Sequence, residues 1–153
     1  LVASDINLER SPMGYSVDAT GLAEPSDIYD AVVLDGPYKL NGTSTGRGSS
    51  SSDEDYGVEK YERWQDRMAL ICDMMTEGHR ILKPKGYMLV KSMDQVCSGK
   101  KRWQSIEFAN HGIGLGMELV DQLYMPSYRA QPKGRRQLTS RINFSQMQVF
   151  RKR

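Results

Sequence analysis

Four things are scarce in this 153-residue chain, and each scarcity narrows the reading. No apolar run approaches the roughly 20 residues that span a bilayer, and no segment has the basic-then-apolar pattern of a signal peptide. No membrane-embedded role is therefore expected. Cysteine is confined to Cys72 and Cys97, without CxxC or metal-ligand spacing, and the only histidines are His79 and His111. That excludes a disulfide scaffold and gives no structural zinc set, so no metal is expected and a reducing, cytoplasmic setting is the default. Apolar side chains are almost missing from 41–55, where Asn41-Gly42-Thr43-Ser44-Thr45-Gly46-Arg47-Gly48 and four serines precede Asp53-Glu54-Asp55. Such a stretch cannot offset its ordering entropy, so a mobile surface loop is expected, either a lid or an insertion without a role.

Acidic residues are the fourth scarcity. Lys and Arg total 21 against 19 Asp and Glu, but no acid follows Asp121. That stretch carries Arg129, Lys133, Arg135, Arg136, Arg141, Arg151, Lys152 and Arg153. A one-sided basic segment fits a phosphate-rich partner; the plainer alternative is a solvated basic tail.

What remains is enough for one domain spanning 1–153 with a single core. Leu1 to Ser4 reads as a short strand ending at Asp5, Tyr15 to Val17 as another ending at Asp18, and 28–34 as a third ending at Asp35. Residues 57–82 carry Tyr61, Trp64, Met68, Ile71, Cys72, Met75 and His79 at spacings of three or four, which predicts a long helix with a core-facing stripe. Lys83-Pro84-Lys85-Gly86 stops it, and Tyr87 to Lys91 is the next strand. Ser98 to Arg102 reads as a basic turn and 103–115 as a second helix weakened by Gly112 and Gly114. Met117 to Tyr124 is a strand, 126–140 a long basic loop, and Phe144 to Phe150 the last strand. Strands alternating with helices predict an α/β fold with a mostly parallel sheet. The loop before the final strand allows that strand to return antiparallel.

The segment richest in chemistry is Tyr29-Asp30-Ala31-Val32-Val33-Leu34-Asp35-Gly36-Pro37-Tyr38. An apolar strand runs into an acid, a tight turn and an aromatic ring. Ligands collect at the carboxyl ends of strands in open α/β sheets. Asp35-Gly36-Pro37-Tyr38 resembles the Asp-Pro-Pro-Tyr motif of the amino-group methyltransferases that use S-adenosylmethionine, chiefly DNA adenine-N6 and cytosine-N4 enzymes; Gly36 stands where that family has its first Pro. Arg80 to Lys91 resembles the helix-turn-strand that follows that motif, and Asn143 to Lys152 resembles the closing strand.

The resemblance implies a Rossmann-like class I methyltransferase domain. In it Asp5 and Ile6 would hold the ribose of S-adenosylmethionine, and Asp18 and Ala19 its adenine. The carboxylate of Asp35 and the carbonyl of Gly36 would accept the N–H groups of a target amine, Pro37 would stiffen the turn, and Tyr38 would stack on the base. The basic residues Lys100, Lys101, Arg102, Arg129, Lys133, Arg135 and Arg136 would contact DNA; Trp103 fits either a core position or an aromatic platform. The family's Gly-rich turn after its first strand has no counterpart here, because only four residues precede Asp5. The fold expected is therefore that sheet with its N-terminal first strand missing. RNA base methylation, or a non-catalytic domain that binds nucleic acid or a partner subunit, stands as the alternative; the protein partner considered for the chain is a second copy in a homodimer or a partner subunit.

Overall fold

The computed structural model describes residues 17–40, 63–127 and 142–153. Asp5 and Ile6, the segment 41–55, and Arg129, Lys133, Arg135 and Arg136 lie outside the described residues.

Strand β1 (Tyr29–Leu34) leads, through α1 (Trp64–Ile81), to β2 (Leu82–Ser92). The two strands are parallel, with Leu34 opposite Val90, and a parallel pair needs a crossover of the kind α1 supplies. On α1 the buried positions Met68, Ile71, Met75, Gly78 and Ile81 recur every three or four residues, as the sequence predicts. Gly78 is buried for a steric reason: a Cβ there would lie 3.2 Å from Met88 Sδ and 3.3 Å from Val32 Cγ1, so its absence lets the helix settle on the sheet.

The boundary after α1 differs from the expected turn. Lys83 to Gly86 belongs to β2, and the register jumps from Tyr29 opposite Leu82 to Ala31 opposite Tyr87. Lys85, at φ 68°, carries the bulge that absorbs the extra residues.

Ser98 to Arg102 also differs from the turn expected. It closes a small hairpin of β3 (Gln95–Cys97) and β4 (Lys100–Arg102). Ser98 and Gly99 both have positive φ, at 52° and 73°, which matches the twist of a two-residue hairpin loop. Helix α2 (Gln104–Gly114) follows, then β5 (Met117–Pro126) and β6 (Phe144–Lys152).

The sheet order is β1-β2-β6-β5. β6 is antiparallel to both β2 and β5, so β1, β2 and β5 share one direction and the last strand runs against them. This mixed α/β sheet agrees with the expected antiparallel return. Val17 lies outside any strand, and Asp18 opens a turn instead: its carboxylate accepts from Thr20 N (2.9 Å) and Thr20 Oγ1 (2.7 Å).

Both helices pack on one face of the sheet, where Leu34, Met88, Val90 and Phe150 meet Ile71, Met75 and Phe108. A smaller cluster of Leu40, Met68 and Cys97, flanked by Trp64, sits under the hairpin. The other sheet face carries exposed Val33 (61%), Tyr87 (44%) and Leu123 (50%). No helix among the described residues is long and apolar enough to cross a membrane.

Candidate active site

Side chains alternate across a strand, so the burial of Leu34 on the helix face sends Asp35 to the other face. The same alternation on β2 buries Val90 and turns Lys91 outward, and the Leu34–Val90 register sets the next two residues side by side. Lys91 Nζ reaches both carboxylate oxygens of Asp35, at 2.8 Å and 3.0 Å. It also lies 5.2 Å from the centroid of the Tyr38 ring, within the range of a cation–π contact. An acid, an aromatic ring and a cation thus converge at the carboxyl ends of β1 and β2.

The turn between Asp35 and Tyr38 is tight. Tyr38 N donates to the Gly36 carbonyl at 2.8 Å, a three-residue turn. One lone pair of that carbonyl is used; the second is open to another donor by its chemistry. The glycine has a packing reason. A Cβ at Gly36 would lie 2.7 Å from Ile71 Cδ1 and 3.2 Å from Met74 Cε. Helix α1 therefore occupies the space that the ring of the family's first Pro would need.

Beyond the turn the backbone is clamped. The Tyr38 carbonyl accepts from Gln95 Nε2 (2.6 Å) and from Gln104 Nε2 (2.7 Å). Gln95 Oε1 takes Leu40 N at 3.4 Å, and Arg67 donates to the Lys39 carbonyl at 3.2 Å. Gln104 is fully buried and is held in turn, because its Oε1 accepts from Met93 N (2.9 Å). Nearby, the buried carboxylate of Asp94 accepts from Ser105 N and Ser105 Oγ, both at 2.9 Å, and from Gln146 Nε2 at 3.2 Å. It thereby satisfies an amide of the first turn of α2. Since Gln104 and Ser105 start that helix, α2 and the Tyr38 turn are fixed to the same end of β2.

Of the remaining expected site residues, Asp18 and Ala19 lie in the turn described above. Their segment is tied to α1 by Glu77, which accepts from Leu22 N at 2.8 Å, and by Arg80, which donates to the Leu22 carbonyl at 3.1 Å. The Arg80 guanidinium beside Glu77 holds its carboxyl below the usual carboxylate range. Lys100, Lys101 and Arg102 form β4. Arg102 stacks over the Trp64 ring at 3.9 Å, and Lys101 sits over the exposed Trp103 ring at 5.1 Å. Trp103 is thus a surface residue and not part of the core. Cys72, half-buried on α1, has its thiol pushed up to about 11 by burial and by nearby Glu107 and Asp73, which suits an inert packing residue.

Lys91, Gln95 and Gln104 are the site residues that motif reasoning misses. Lys91 alone had a signal: it closes the apolar run of Tyr87 to Val90 as Asp35 closes that of Ala31 to Leu34.

No family model and no curated protein matches the sequence. Solved structures do match. TTHA0409 of Thermus thermophilus, described as a candidate DNA modification methylase, superposes with a TM-score of 0.61 at 13% identity, over 99% of this chain and 54% of its own. Its form complexed with S-adenosyl-L-methionine gives 0.56 at 18% identity, over 88% and 53%. PvuII DNA methyltransferase, cytosine-N4-specific, gives 0.52 at 14%, over 84% and 44%. The fold is similar to that of these DNA methylases. The chain spans about half the length of these structural neighbours.

Proposed function

We propose that this protein transfers a methyl group from S-adenosylmethionine to an exocyclic amine of a DNA base, adenine N6 or cytosine N4, within a Rossmann-like class I frame. The observation that carries this reading is Asp35. It ends a strand of a methylase-like sheet, with the Gly36 carbonyl and the Tyr38 ring held in one tight turn beside it.

The amine of a base is a poor nucleophile because its lone pair is delocalised into the ring. The Asp35 carboxylate and the Gly36 carbonyl, each accepting one N–H, draw the nitrogen toward tetrahedral geometry and free that lone pair. Tyr38 stacks on the base and fixes its plane. Gln95 and Gln104 hold the turn, so positioning and electrostatics supply the rate without a covalent intermediate. S-adenosylmethionine supplies the electrophilic methyl group. Asp5 and Ile6 would bind its ribose, and Asp18 and Ala19 its adenine. The neighbour that carries this cofactor supports that assignment of class. Lys100, Lys101 and Arg102, with Arg129, Lys133, Arg135 and Arg136, would contact DNA phosphates.

The test is transfer of labelled methyl from S-adenosylmethionine to unmethylated duplex DNA and to total RNA by the full-length protein. Label in DNA, lost in Asp35→Ala while cofactor binding persists, is the expected result. Label in RNA alone moves the substrate class, and no label in either overturns the enzyme reading.

A further inference from the structure

The pair of Asp35 and Lys91 has a feature that a lone catalytic carboxylate lacks. The ammonium spans both oxygens, at 2.8 Å and 3.0 Å, on a side chain that is 21% exposed beside a carboxylate that is 58% exposed. The pair therefore lies open on the sheet face away from the helices. Its cation is also 5.2 Å from the ring proposed to stack the base.

Building on the methyltransferase reading, we infer that Lys91 is a specificity-determining residue that reads the ring nitrogen beside the target amine. When a base stacks on Tyr38, its amine N–H displaces one Lys91 N–H from an Asp35 oxygen. The displaced ammonium proton then turns to the adjacent ring nitrogen. Asp35 and Lys91 each keep the number of hydrogen bonds they had, and the ion pair opens into an acceptor next to a donor. That edge complements an amine beside a bare ring nitrogen: N6 with N1 or N7 of adenine, and N4 with N3 of cytosine. A protonated ring nitrogen, such as N1 on one side of the guanine amine, sets donor against donor beside Lys91; the other side of that amine, with bare N3, still presents the complementary edge. The substrate class is therefore a base with an amidine-type edge. The second carboxylate oxygen keeps its contact with Lys91, so Asp35 stays in place during the exchange.

The experiment removes single atoms from both sides. Oligonucleotides carry adenine, 1-deazaadenine or 7-deazaadenine at the target, or cytosine and 3-deazacytosine if cytosine is the base labelled. They are assayed with full-length wild type, Lys91→Met and Lys91→Gln. In the wild type, loss of the recognised ring nitrogen lowers kcat/KM on the order of 10- to 100-fold, the range of a hydrogen bond to a charged group. In Lys91→Met, slower on every substrate, the parent base and its deaza analogue react alike. Lys91→Gln, which keeps a neutral donor, restores part of the discrimination. Where a variant transfers too slowly to time, its equilibrium binding of the same oligonucleotides gives the same comparison. Discrimination undiminished in Lys91→Met, or absent in wild type, overturns the inference and leaves Lys91 as a support for Asp35. Failure of wild type to methylate any parent base overturns the methyltransferase reading instead.

Discussion

The two faces of the sheet are built from similar residues and live in different surroundings. Leu34, Met88, Val90 and Phe150 lie under α1 and α2, almost without solvent. Val33 and Tyr87 alternate with them on β1 and β2, and both stay exposed, as does Leu123 on β5. An unbroken apolar run such as Ala31 to Leu34 is the pattern of a strand covered on both sides. The described residues cover one. The face that carries stability and the face that carries the Asp35–Lys91 pair are thus separate, and substitutions ought to sort the same way.

The largest effect belongs to the covered face. Phe150→Ala removes a ring that touches both the sheet and α2, and unfolding in urea should show a loss of about 3–5 kcal/mol. Gly112→Ala tests the same contact from the opposite side. Its Cβ would fall 2.5 Å from Phe150 Cε1, so overpacking should cost about 1–3 kcal/mol despite the better helix propensity of alanine. Stabilisation by this substitution would mean that α2 sits further from the sheet.

A smaller, pH-dependent effect is expected at His79 on α1. Burial, with help from Lys152, pushes its imidazole below the ordinary value of 6.5, against a weaker upward pull from Asp27. The unfolded chain therefore takes the proton first. The contribution is fully present above the ordinary value and is lost as pH falls through it toward the folded value. Chemical denaturation across pH 5–7.5 should show that slope in wild type and a flatter one in His79→Gln. The smallest effect is Val33→Thr on the open face, within about 0.5 kcal/mol by thermal or urea unfolding. A loss several times larger, growing with protein concentration, would show that this face is covered in solution.

The sequence reveals the parts of this architecture that depend on neighbours in the chain. β1 and Asp35 are legible because an apolar run ends abruptly at a charge and a Gly-Pro turn. The buried stripe of α1 is legible because its period spans several turns. The parallel pairing of β1 and β2 follows from the helix between them, whereas the insertion of β6 between β2 and β5 does not. The hairpin is not legible, because three-residue strands show no alternation and only Ser98-Gly99 marks the turn. The bulge at Lys85 hides behind residues that normally stop a helix. Lys91 lies 56 residues from Asp35 and meets it through strand register alone. Gln95 and Gln104 are amides without period or charge, and their role exists only because the Tyr38 carbonyl comes to them. The reason for Gly36 is likewise visible only once Ile71 and Met74 stand over it.

The place of β6 has a consequence for how the chain comes to be folded. Translated after every other described strand, it inserts between β2 and β5, which share no border without it. While the protein is being synthesised, β1, α1 and β2 can associate early, but β5 must wait beside an unfilled gap. During that interval the apolar flanks of β2 and β5 are open to other nascent chains. The late arrival of one strand makes the ribosome-bound intermediate, more than the finished fold, the species most in need of a chaperone.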